Sequence, residues 1–300
     1  MRSQPGSRNL PVADLTVMLL GSVIISLNPV WVKLAQVGPT AAAFWRMALG
    51  GLALAAFSLG GGAGLAVCPR VLGASLICAV LFALDLVCWH ASILAIGPGL
   101  STVLGNFQVF FLVLYGLVFL REAVGVRRLI AVPMAVSGLF LLVGPGWGRL
   151  SDDWRRGVIF GLATALFYAA YLLLLRRLQQ GQPWPGLVRN MAWISLIAAV
   201  FLALGVPLAG ESFHVPWGRD WAFLGLLGIA GQGLGWVLIS FSLARLPVSV
   251  GGLVILLQPT LAFVWDVAFF GRPTTGLDVA GAGLALTAIY LGAVGRKGAE

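Results

Sequence analysis

The chain has 300 residues, of which 60% are hydrophobic and only 10% are charged, and its mean hydropathy is +0.99. A soluble domain carries about 25% charged residues, so this composition excludes an ordinary soluble protein and is typical of a membrane protein. The net charge of +9 does not indicate nucleic-acid binding. Lys and Arg collect in the cytoplasmic loops of membrane proteins, and no basic cluster here is interleaved with exposed aromatic residues.

Apolar runs long enough to cross a bilayer recur along the chain, since one span needs about 20 residues. Residues 1–12, which are rich in Arg, Pro and Gly, are predicted to form a disordered arm. Short linkers with Gly or Pro predict antiparallel neighbours in a compact bundle. We predict an all-α membrane protein with ten transmembrane helices, at about residues 13–35, 40–58, 71–95, 99–120, 126–143, 156–178, 187–208, 221–243, 247–270 and 276–294.

The positive charges predict the side of the membrane on which each loop lies. With the N-terminus inside, twelve Lys and Arg residues fall on the cytoplasmic side and six on the outer side, which favours cytoplasmic termini. Because each half has five spans, the second half enters the membrane from the opposite side. We therefore predict two inverted repeats, residues 13–148 and 149–300. In secondary transporters of this kind, the substrate site lies near the midplane between the repeats.

Matching polar positions in spans 4 and 9 support the repeat. Asn106 and Gln108 lie in the first third of span 4, which is predicted to be one continuous helix. Gln258 takes the place of Gln108 in span 9, 150 residues later. Inverted topology brings the two glutamines in from opposite faces, so both are expected to face one central cavity.

Polar and aromatic side chains inside the spans are the candidate substrate contacts, because a polar group in hydrocarbon is costly unless it faces a cavity or the bundle interior. Neutral amides suit a ligand without net charge and are expected to hold the ammonium and carboxylate of a zwitterion. Aromatic rings can stack on planar or apolar parts of the ligand. The predicted substrate-binding residues are Asn28, Trp89, Asn106, Gln108, Tyr168, Tyr171, Gln232, Trp236 and Gln258.

Asp85 is a carboxylate well inside a span, and Trp89 follows one turn later on the same helix face. Protonation would neutralise this carboxylate in a low dielectric, as a proton-coupling site requires. The alternative is a polar network without coupling, in which Asp85 pairs with Arg46 of span 2. His90 is grouped with these two residues, although its helix position is rotated away from Asp85.

Two prolines follow polar residues within the spans, Pro29 after Asn28 and Pro259 after Gln258. Proline removes a backbone donor and bends a helix, so both prolines are candidate hinges. Static packing kinks, which are common in membrane helices, are the alternative.

The remaining polar and small residues have simpler interpretations. Lys33 and Arg272 lie near the outer ends of their spans and are expected to snorkel to the membrane surface, and Asp266 is expected to be solvated. The Gly-x-Gly-x-Gly string at 231–235 lies inside an apolar helix, which argues against a nucleotide fingerprint. The sequence has no metal-ligand spacing and no catalytic motif, so we expect no metal, no cofactor and no enzymatic activity.

Three stretches of the first half resemble the EamA repeat of the drug/metabolite transporter superfamily: LNPVWVKLA at 27–35, Pro39 with the AFWR that ends at Arg46, and FLRE at 119–122. The resemblance implies a ten-helix, two-repeat inner-membrane exporter of small metabolites with a central cavity. Within that superfamily, aromatic content and length make the chain similar to the aromatic amino acid exporters of the YddG type. The turn at 270–273 departs from the family pattern, because Arg272 stands where an acidic residue usually follows the glycine.

The residues and the resemblance together predict a carrier that exports amino acids, aromatic ones preferred, across the cell inner membrane by alternating access. The expected partners are a small-molecule substrate and the lipid bilayer, without nucleic acid. The oligomeric state is open, with a monomer as the plain expectation. An exporter of drug-like cations is one alternative, and a non-transporting membrane protein, either an enzyme or a channel, is the other.

Overall fold

The computed structural model describes residues 12–62, 64–118, 126–143, 151–179, 181–243 and 257–294, and these residues form helices and no strand. This confirms the all-helical prediction. Six helical stretches are long and apolar enough to cross a membrane: Asp14–Leu34, Pro39–Gly60, Pro69–Ile96, Asp152–Gln179, Trp184–Leu208 and Gly218–Ile239. The count of ten spans stays a prediction.

The described residues of the first half form α1 (Val12–Ser26), α2 (Asn28–Leu34), α3 (Pro39–Gly60), α4 (Pro69–Ile96), α5 (Pro98–Gly105), α6 (Gln108–Val118) and α7 (Val126–Val143). The described residues of the second half form α8 (Asp152–Gln179), α9 (Trp184–Leu208), α10 (Gly218–Gly225), a π-helical segment (Leu226–Gly235), α11 (Trp236–Leu243), α12 (Leu257–Phe270) and α13 (Gly276–Val294). Three predicted features lie outside the described residues: the arm up to residue 11, the FLRE motif at 119–122 and the start of span 9 at 247–256.

The prediction of one continuous helix for span 4 is wrong. α5 ends at Gly105 and α6 begins at Gln108, with Asn106 and Phe107 in a turn. The Asn106 side chain donates from Nδ2 to the backbone carbonyl oxygen of Thr102 at 2.8 Å. Such local bonds offer the backbone an alternative to the helical ladder, which explains the interruption.

The first span is also interrupted, at Leu27. Ser26 donates from Oγ to the carbonyl oxygen of Val23 at 2.7 Å, and the Leu27 N–H bonds to the Ile24 carbonyl oxygen at 3.2 Å. Pro29 is the second residue of α2, in the first turn, where a helix has no intrahelical use for the backbone donor that proline lacks. Pro29 therefore lies at a break in the helix, and its role as a moving hinge stays a prediction.

The π-helical segment lets two other helices approach closely. A Cβ atom added at Gly50 of α3 would lie 2.7 Å from the Cβ of Gln232, and one added at Gly231 would collide with the side chain of Asn28. The glycine string at 231–235 thus serves helix packing. π-turns are rare in proteins, but those that occur are often found at functional sites. They redirect side chains relative to an α-helix.

The two halves of the chain interleave. α3 packs on α9, α4 on α8 and α7 on α13, so the most extensive helix contacts join different halves. Some of these contacts recur when the helices are exchanged for the predicted counterparts in the other half. The contact of α3 with the π-helical segment matches that of α9 with α4, and the contact of α5 with α8 matches that of α12 with α1. A pseudo-twofold relation between two repeats produces such an exchange.

The largest apolar core lies between α3, α4, α8 and α9, and it includes Met47, Phe82, Tyr171 and Met191. The rings of Phe82 and Tyr171 stack with their centroids 4.4 Å apart. Close van der Waals packing of this kind is the main attraction between helices in lipid. The core holds α4 beside α8, and both helices carry residues of a central cavity.

Candidate functional site

A cavity lies between helices of both halves of the chain. About 70 Å³ of it is open to the centre of a water-sized molecule, so the cavity has room for a small molecule only. Helices α1 to α5 contribute wall residues from the first half, and α8, α11 and α12 contribute them from the second. The cavity therefore depends on the assembly of the two halves.

The interruptions of the helices lie at this cavity. Ser26 and Asn28 flank the break in the first span, and Asn106 lies in the break between α5 and α6. Trp236 directly follows the π-helical segment, and Gln258 directly precedes Pro259. Discontinuous helices supply the binding groups of many membrane transporters, because irregular backbone is tolerated at membrane depth where it lines a cavity.

Aromatic rings form much of the wall. Phe82 and Trp89 come from α4, Tyr168 from α8 and Trp236 from α11. The ring of Trp236 meets those of Phe82 and Tyr168 edge to face, at centroid distances of 6.2 and 6.4 Å. Nε1 of Trp236 is buried without a hydrogen-bond partner. The rings offer a stacking surface to a planar or apolar ligand group.

Amide side chains line the same cavity at the broken helices. Asn28 is fully buried, and neither its Oδ1 nor its Nδ2 has a hydrogen-bond partner. Asn106 uses Nδ2 for the turn at Thr102, and Gln258 completes the set from the second half. Buried polar atoms are nearly always satisfied in proteins, so the unpartnered amide of Asn28 is a candidate ligand contact.

Arg46 of α3 is a cavity residue that is only 3% exposed. Its Nε atom donates to Oε1 of Gln232 at 3.2 Å, and Nε2 of Gln232 donates to Oγ of Ser195 at 3.3 Å. The guanidinium carbon lies 5.8 Å from the ring centroid of Phe82 and 5.6 Å from that of Trp89, within the range of cation–π attraction. Nη1 of Arg46 has no hydrogen-bond partner.

Asp85 of α4 lines the same cavity and is 5% exposed. Its Oδ1 atom has no hydrogen-bond partner, while its backbone carbonyl accepts a bond from Oγ1 of Thr164 at 3.3 Å. Arg46 and Asp85 are not joined by an ion pair within 4.0 Å, the range that joins the charged pairs found in the described part of the chain. The direct pair considered from the sequence is thus not formed, and proton coupling by Asp85 stays a prediction.

Four predicted site residues lie off the cavity wall. Gln232 is buried behind Arg46, and Tyr171 is buried in the stack with Phe82. His90 is fully buried with Nδ1 3.2 Å from the carbonyl oxygen of Pro39. Gln108 begins α6, and its Oε1 atom is buried without a partner. The candidate hinges Pro29 and Pro259 are buried directly beside the wall residues Asn28 and Gln258.

Some wall residues are missing from the sequence predictions, including Phe82, Thr102 and Thr164. Phe82 precedes Asp85 by three residues and Trp89 by seven, so helical spacing places all three on one face and could have indicated it. The threonines carry no such signal, because a threonine hydroxyl in a helix often bonds to its own backbone. Oγ1 of Thr102 does so, at 2.7 Å from the Pro98 carbonyl oxygen.

The expectation of a solvated Asp266 is wrong, since this residue is 1% exposed. Its Oδ2 atom accepts hydrogen bonds from the Gly99 N–H at 3.1 Å and from Nη1 of Arg272 at 3.2 Å. Nζ of Lys33 lies 3.9 Å from Oδ1, and Nη1 of Arg272 also donates to the Ile96 carbonyl oxygen at 3.1 Å. We call Asp266, Arg272 and Lys33 the Asp266 cluster. It links the ends of α2, α4, α5 and α12.

Arg272 is the residue that departs from the family pattern, and the structure gives it a role. Its side chain is 14% exposed and bonds to a buried carboxylate and a helix end, so the expectation that it snorkels is wrong. Lys33 keeps 32% of its side chain exposed and also lies 4.2 Å from the ring centroid of Phe270.

Comparisons with known proteins agree with this architecture. A sequence profile of the EamA-like transporter family matches residues 14–144 and 155–293, once in each half. An uncharacterized transporter of Archaeoglobus fulgidus is 24% identical over 178 residues, which cover 58% of this chain and 59% of that protein. The uncharacterized transporter YxxF of Bacillus subtilis (strain 168) is 27% identical over 204 residues, which cover 66% of this chain and 60% of that protein.

The chain thus spans about three fifths of the length of these two curated relatives. A crystal structure of a protein that is 18% identical superposes with a TM-score of 0.67 over 95% of this chain and 99% of the other, which shows a shared fold. The family profile covers most of the chain in two consecutive matches, and the helices are apolar enough for a multi-pass membrane protein. The chain belongs to the EamA-like transporter family, whose members are membrane transporters.

Proposed function

We propose that this transporter exports amino acids, aromatic ones preferred, through the cavity between its two halves. The observation that carries the proposal is the composition of the cavity wall. Four aromatic rings share it with the amides of Asn28, Asn106 and Gln258. Rings accommodate an aromatic side chain, and the polar groups hold the backbone ammonium and carboxylate of an amino acid.

Alternating access is the proposed mechanism, with ten spans in two inverted repeats at 13–148 and 149–300. Two observations support the repeats: some helix contacts recur between equivalent helices of the two halves, and the family profile matches each half once. Rocking of one repeat against the other exposes a site between them to each side in turn. The break beside Pro29 and the proline at 259 are the proposed bending points. The proposed location is the cell inner membrane, as the family resemblance implies, and the distribution of Lys and Arg in the sequence supports cytoplasmic termini.

Counterflow in proteoliposomes tests the cargo. Purified protein is reconstituted with unlabelled tryptophan inside, and uptake of labelled tryptophan is measured in competition with a panel of amino acids. We expect saturable exchange that aromatic amino acids inhibit most strongly. Exchange with no amino acid of the panel would contradict the proposal.

Two matched variants test the site within the same assay. Gln258→Ala removes an amide from the wall, and Gln108→Ala removes an amide from the repeat-equivalent position off the wall. We expect the first variant to lower the apparent affinity for tryptophan about tenfold, as the loss of a ligand hydrogen bond does, and the second to change it less. If both variants lowered the apparent affinity for tryptophan by the same small factor, the assignment of these amides to the substrate site would be wrong.

Lipophilic cations are a second candidate cargo, favoured by the unpartnered Oδ1 of Asp85 and the Trp89 ring in one cavity wall. A cation would gain both charge pairing and cation–π attraction there. Exchange that is inhibited by a cationic dye and not by tryptophan would favour this cargo.

A further inference from the structure

We infer that the cavity recognises its ligand as a zwitterion through charged groups, with Arg46 binding the carboxylate and Asp85 binding the ammonium. The inference rests on the proposed function as an amino-acid transporter and extends it. Neutral amides alone do not distinguish a zwitterion from its singly charged or uncharged analogues, whereas two opposite charges in one wall do so.

The surroundings of Arg46 leave its charge available to a ligand. Arg46 is 3% exposed and lines the cavity. Its guanidinium lies near the Phe82 and Trp89 rings, and its Nη1 has no hydrogen-bond partner. A buried cation without an anion is costly. The planar fork of a guanidinium matches a carboxylate in geometry and charge, so a carboxylate ligand would satisfy it.

Gln232 acts as a positioning residue in this arrangement. It bonds to Nε of Arg46 and is itself held by Ser195. Because its side chain is neutral, it orients the guanidinium without cancelling its charge. The π-helical segment and the close contact at Gly50 place Gln232 against α3.

The protein pairs another buried arginine in the opposite way. Arg272 bonds directly to the Asp266 carboxylate at 3.2 Å, so a carboxylate of the chain itself pairs with that guanidinium. Arg46 and Asp85 instead share one cavity without an ion pair within 4.0 Å, and each keeps an unpartnered atom. These polar atoms have no hydrogen-bond partner in the protein, so they are available to bind a ligand in the cavity.

Both charges are needed to explain the selectivity we infer. An amine without a carboxylate would leave Arg46 unmatched, and an acid without an ammonium would leave Asp85 unmatched. Each unmatched buried charge is a penalty against the wrong ligand. A ligand with one positive and one negative group and no net charge satisfies both residues.

Three ligands with the same indole ring test the inference: tryptophan, tryptamine, which lacks the carboxylate, and 3-indolepropionate, which lacks the ammonium. Each competes with labelled tryptophan for counterflow by the wild-type protein. We expect both analogues to compete about tenfold more weakly than tryptophan, or worse, as expected for a lost hydrogen bond to a charged group. If tryptophan is exchanged and either analogue competes as well as tryptophan, the inference is wrong and the proposed cargo stands.

Failure of the proposed function gives a different result. If neither tryptophan nor any other amino acid of the panel is exchanged, the cargo proposal is wrong, and the inference about zwitterions falls with it. Counterflow with the amino-acid panel therefore distinguishes the two failures.

Substitutions assign the roles to residues through selectivity rather than overall activity. Arg46→Gln is expected to abolish the preference for tryptophan over tryptamine, and Asp85→Asn the preference over 3-indolepropionate. Gln232→Glu keeps the side-chain size and a partner for Ser195 but supplies a carboxylate to Arg46. We expect it to act like Arg46→Gln, while Gln232→Asn keeps the preference in part.

The exposed Arg156, whose side chain is 72% accessible, provides the matched control as Arg156→Gln, which should leave the preference unchanged. Gln232→Glu also serves as a folding control, because glutamate is nearly the same size as glutamine and leaves no cavity in the core. Equal weakening of all three ligands in the Arg46, Asp85 and Gln232 variants would indicate purely structural roles and would overturn the assignment.

Discussion

Asp266 and Arg272 form a buried ion pair with bonds to two helix ends. The pair is 3.2 Å long, and Asp266 also bonds to the Gly99 N–H. Lys33 contributes from 3.9 Å with a third of its side chain exposed. A buried charge that loses its partner is strongly destabilised, whereas a half-exposed partner at longer range contributes little. We therefore expect the loss of Arg272 to destabilise the protein more than the loss of Lys33.

Arg272→Gln is expected to lower the free energy of unfolding by about 3 kcal/mol, because it leaves the Asp266 carboxylate buried without its closest cation. Lys33→Gln should cost less than about 1 kcal/mol. Thermal unfolding of the purified protein in detergent measures both. A larger loss of stability for Lys33→Gln than for Arg272→Gln would contradict the ranking.

The sequence could not place Asp266 correctly. Its position near the end of a predicted span suggested water, and nothing in the sequence indicates that Gly99 and Arg272 close over it. Asp85 and Trp89 were predictable as neighbours, because four residues make one turn of a single helix. Contacts between residues far apart in sequence depend on how helices are rotated in the bundle, which apolar length does not specify.

The helix positions, by contrast, were largely predictable. The start of α13 at Gly276 coincides with the predicted start of the last span, and the described residues of α7 lie within the span predicted at 126–143, because apolar length sets the position of a span. The sequence indicates a bend at Asn28-Pro29, but it does not indicate the breaks that the structure has at Leu27 and at Asn106. Asn106 ends α5 through a bond to Thr102, four residues back, and an asparagine in a span can equally face a partner helix.

The π-helical segment depends on glycine for its contact with α3. A Cβ atom added at Gly228 would lie 2.8 Å from the Cβ of Leu49 and 3.1 Å from the backbone oxygen of Arg46, whereas one at Gly225 meets nothing within 4 Å. These two glycines are three residues apart in one span, and only one of them touches α3. They form a matched pair for testing the contact.

Gly228→Ala is expected to destabilise the protein by about 1–3 kcal/mol, because the added methyl group overpacks a contact made largely of backbone. Gly225→Ala should be neutral or slightly stabilising, since alanine is favoured over glycine in a helix by up to about 1 kcal/mol. Thermal unfolding in detergent checks the stability. Tryptophan counterflow by Gly228→Ala should also fall, because the contact positions Gln232 and hence Arg46. Unchanged stability in Gly228→Ala would show that the helices can separate at little cost.

Hydrogen bonds and ion pairs between residues far apart in the sequence bring several loops together at one end of the helix bundle. Glu211, after α9, accepts hydrogen bonds from the backbone N–H groups of Thr40 and Ala41 at the start of α3, at 3.2 and 2.8 Å. The Asp266 cluster joins the ends of α2, α4 and α12. The charge distribution predicts that these loops lie on the outer side.

Cysteine labelling tests this orientation. The native Cys68 is exposed between α3 and α4, on the predicted cytoplasmic side, and His214 is exposed between α9 and α10, on the predicted outer side. A membrane-impermeant maleimide applied to intact spheroplasts should label His214→Cys in a Cys68→Ser background and leave the wild-type Cys68 unlabelled until the membrane is opened. The reverse pattern would invert the proposed topology.

The interleaving of the halves has a consequence for biosynthesis. α3 is synthesised and inserted long before its partners α9 and the π-helical segment exist, since Arg46 and Gln232 are 186 residues apart in the chain. Until then Arg46 stands in a membrane segment without its partner, at a cost of about 3 kcal/mol on insertion scales. A chain whose synthesis stops between the two halves therefore has an Arg46 side chain without its partner and apolar helix faces that are not packed. We expect such a fragment to be degraded faster in the membrane than the complete chain, in which the second half packs on the first.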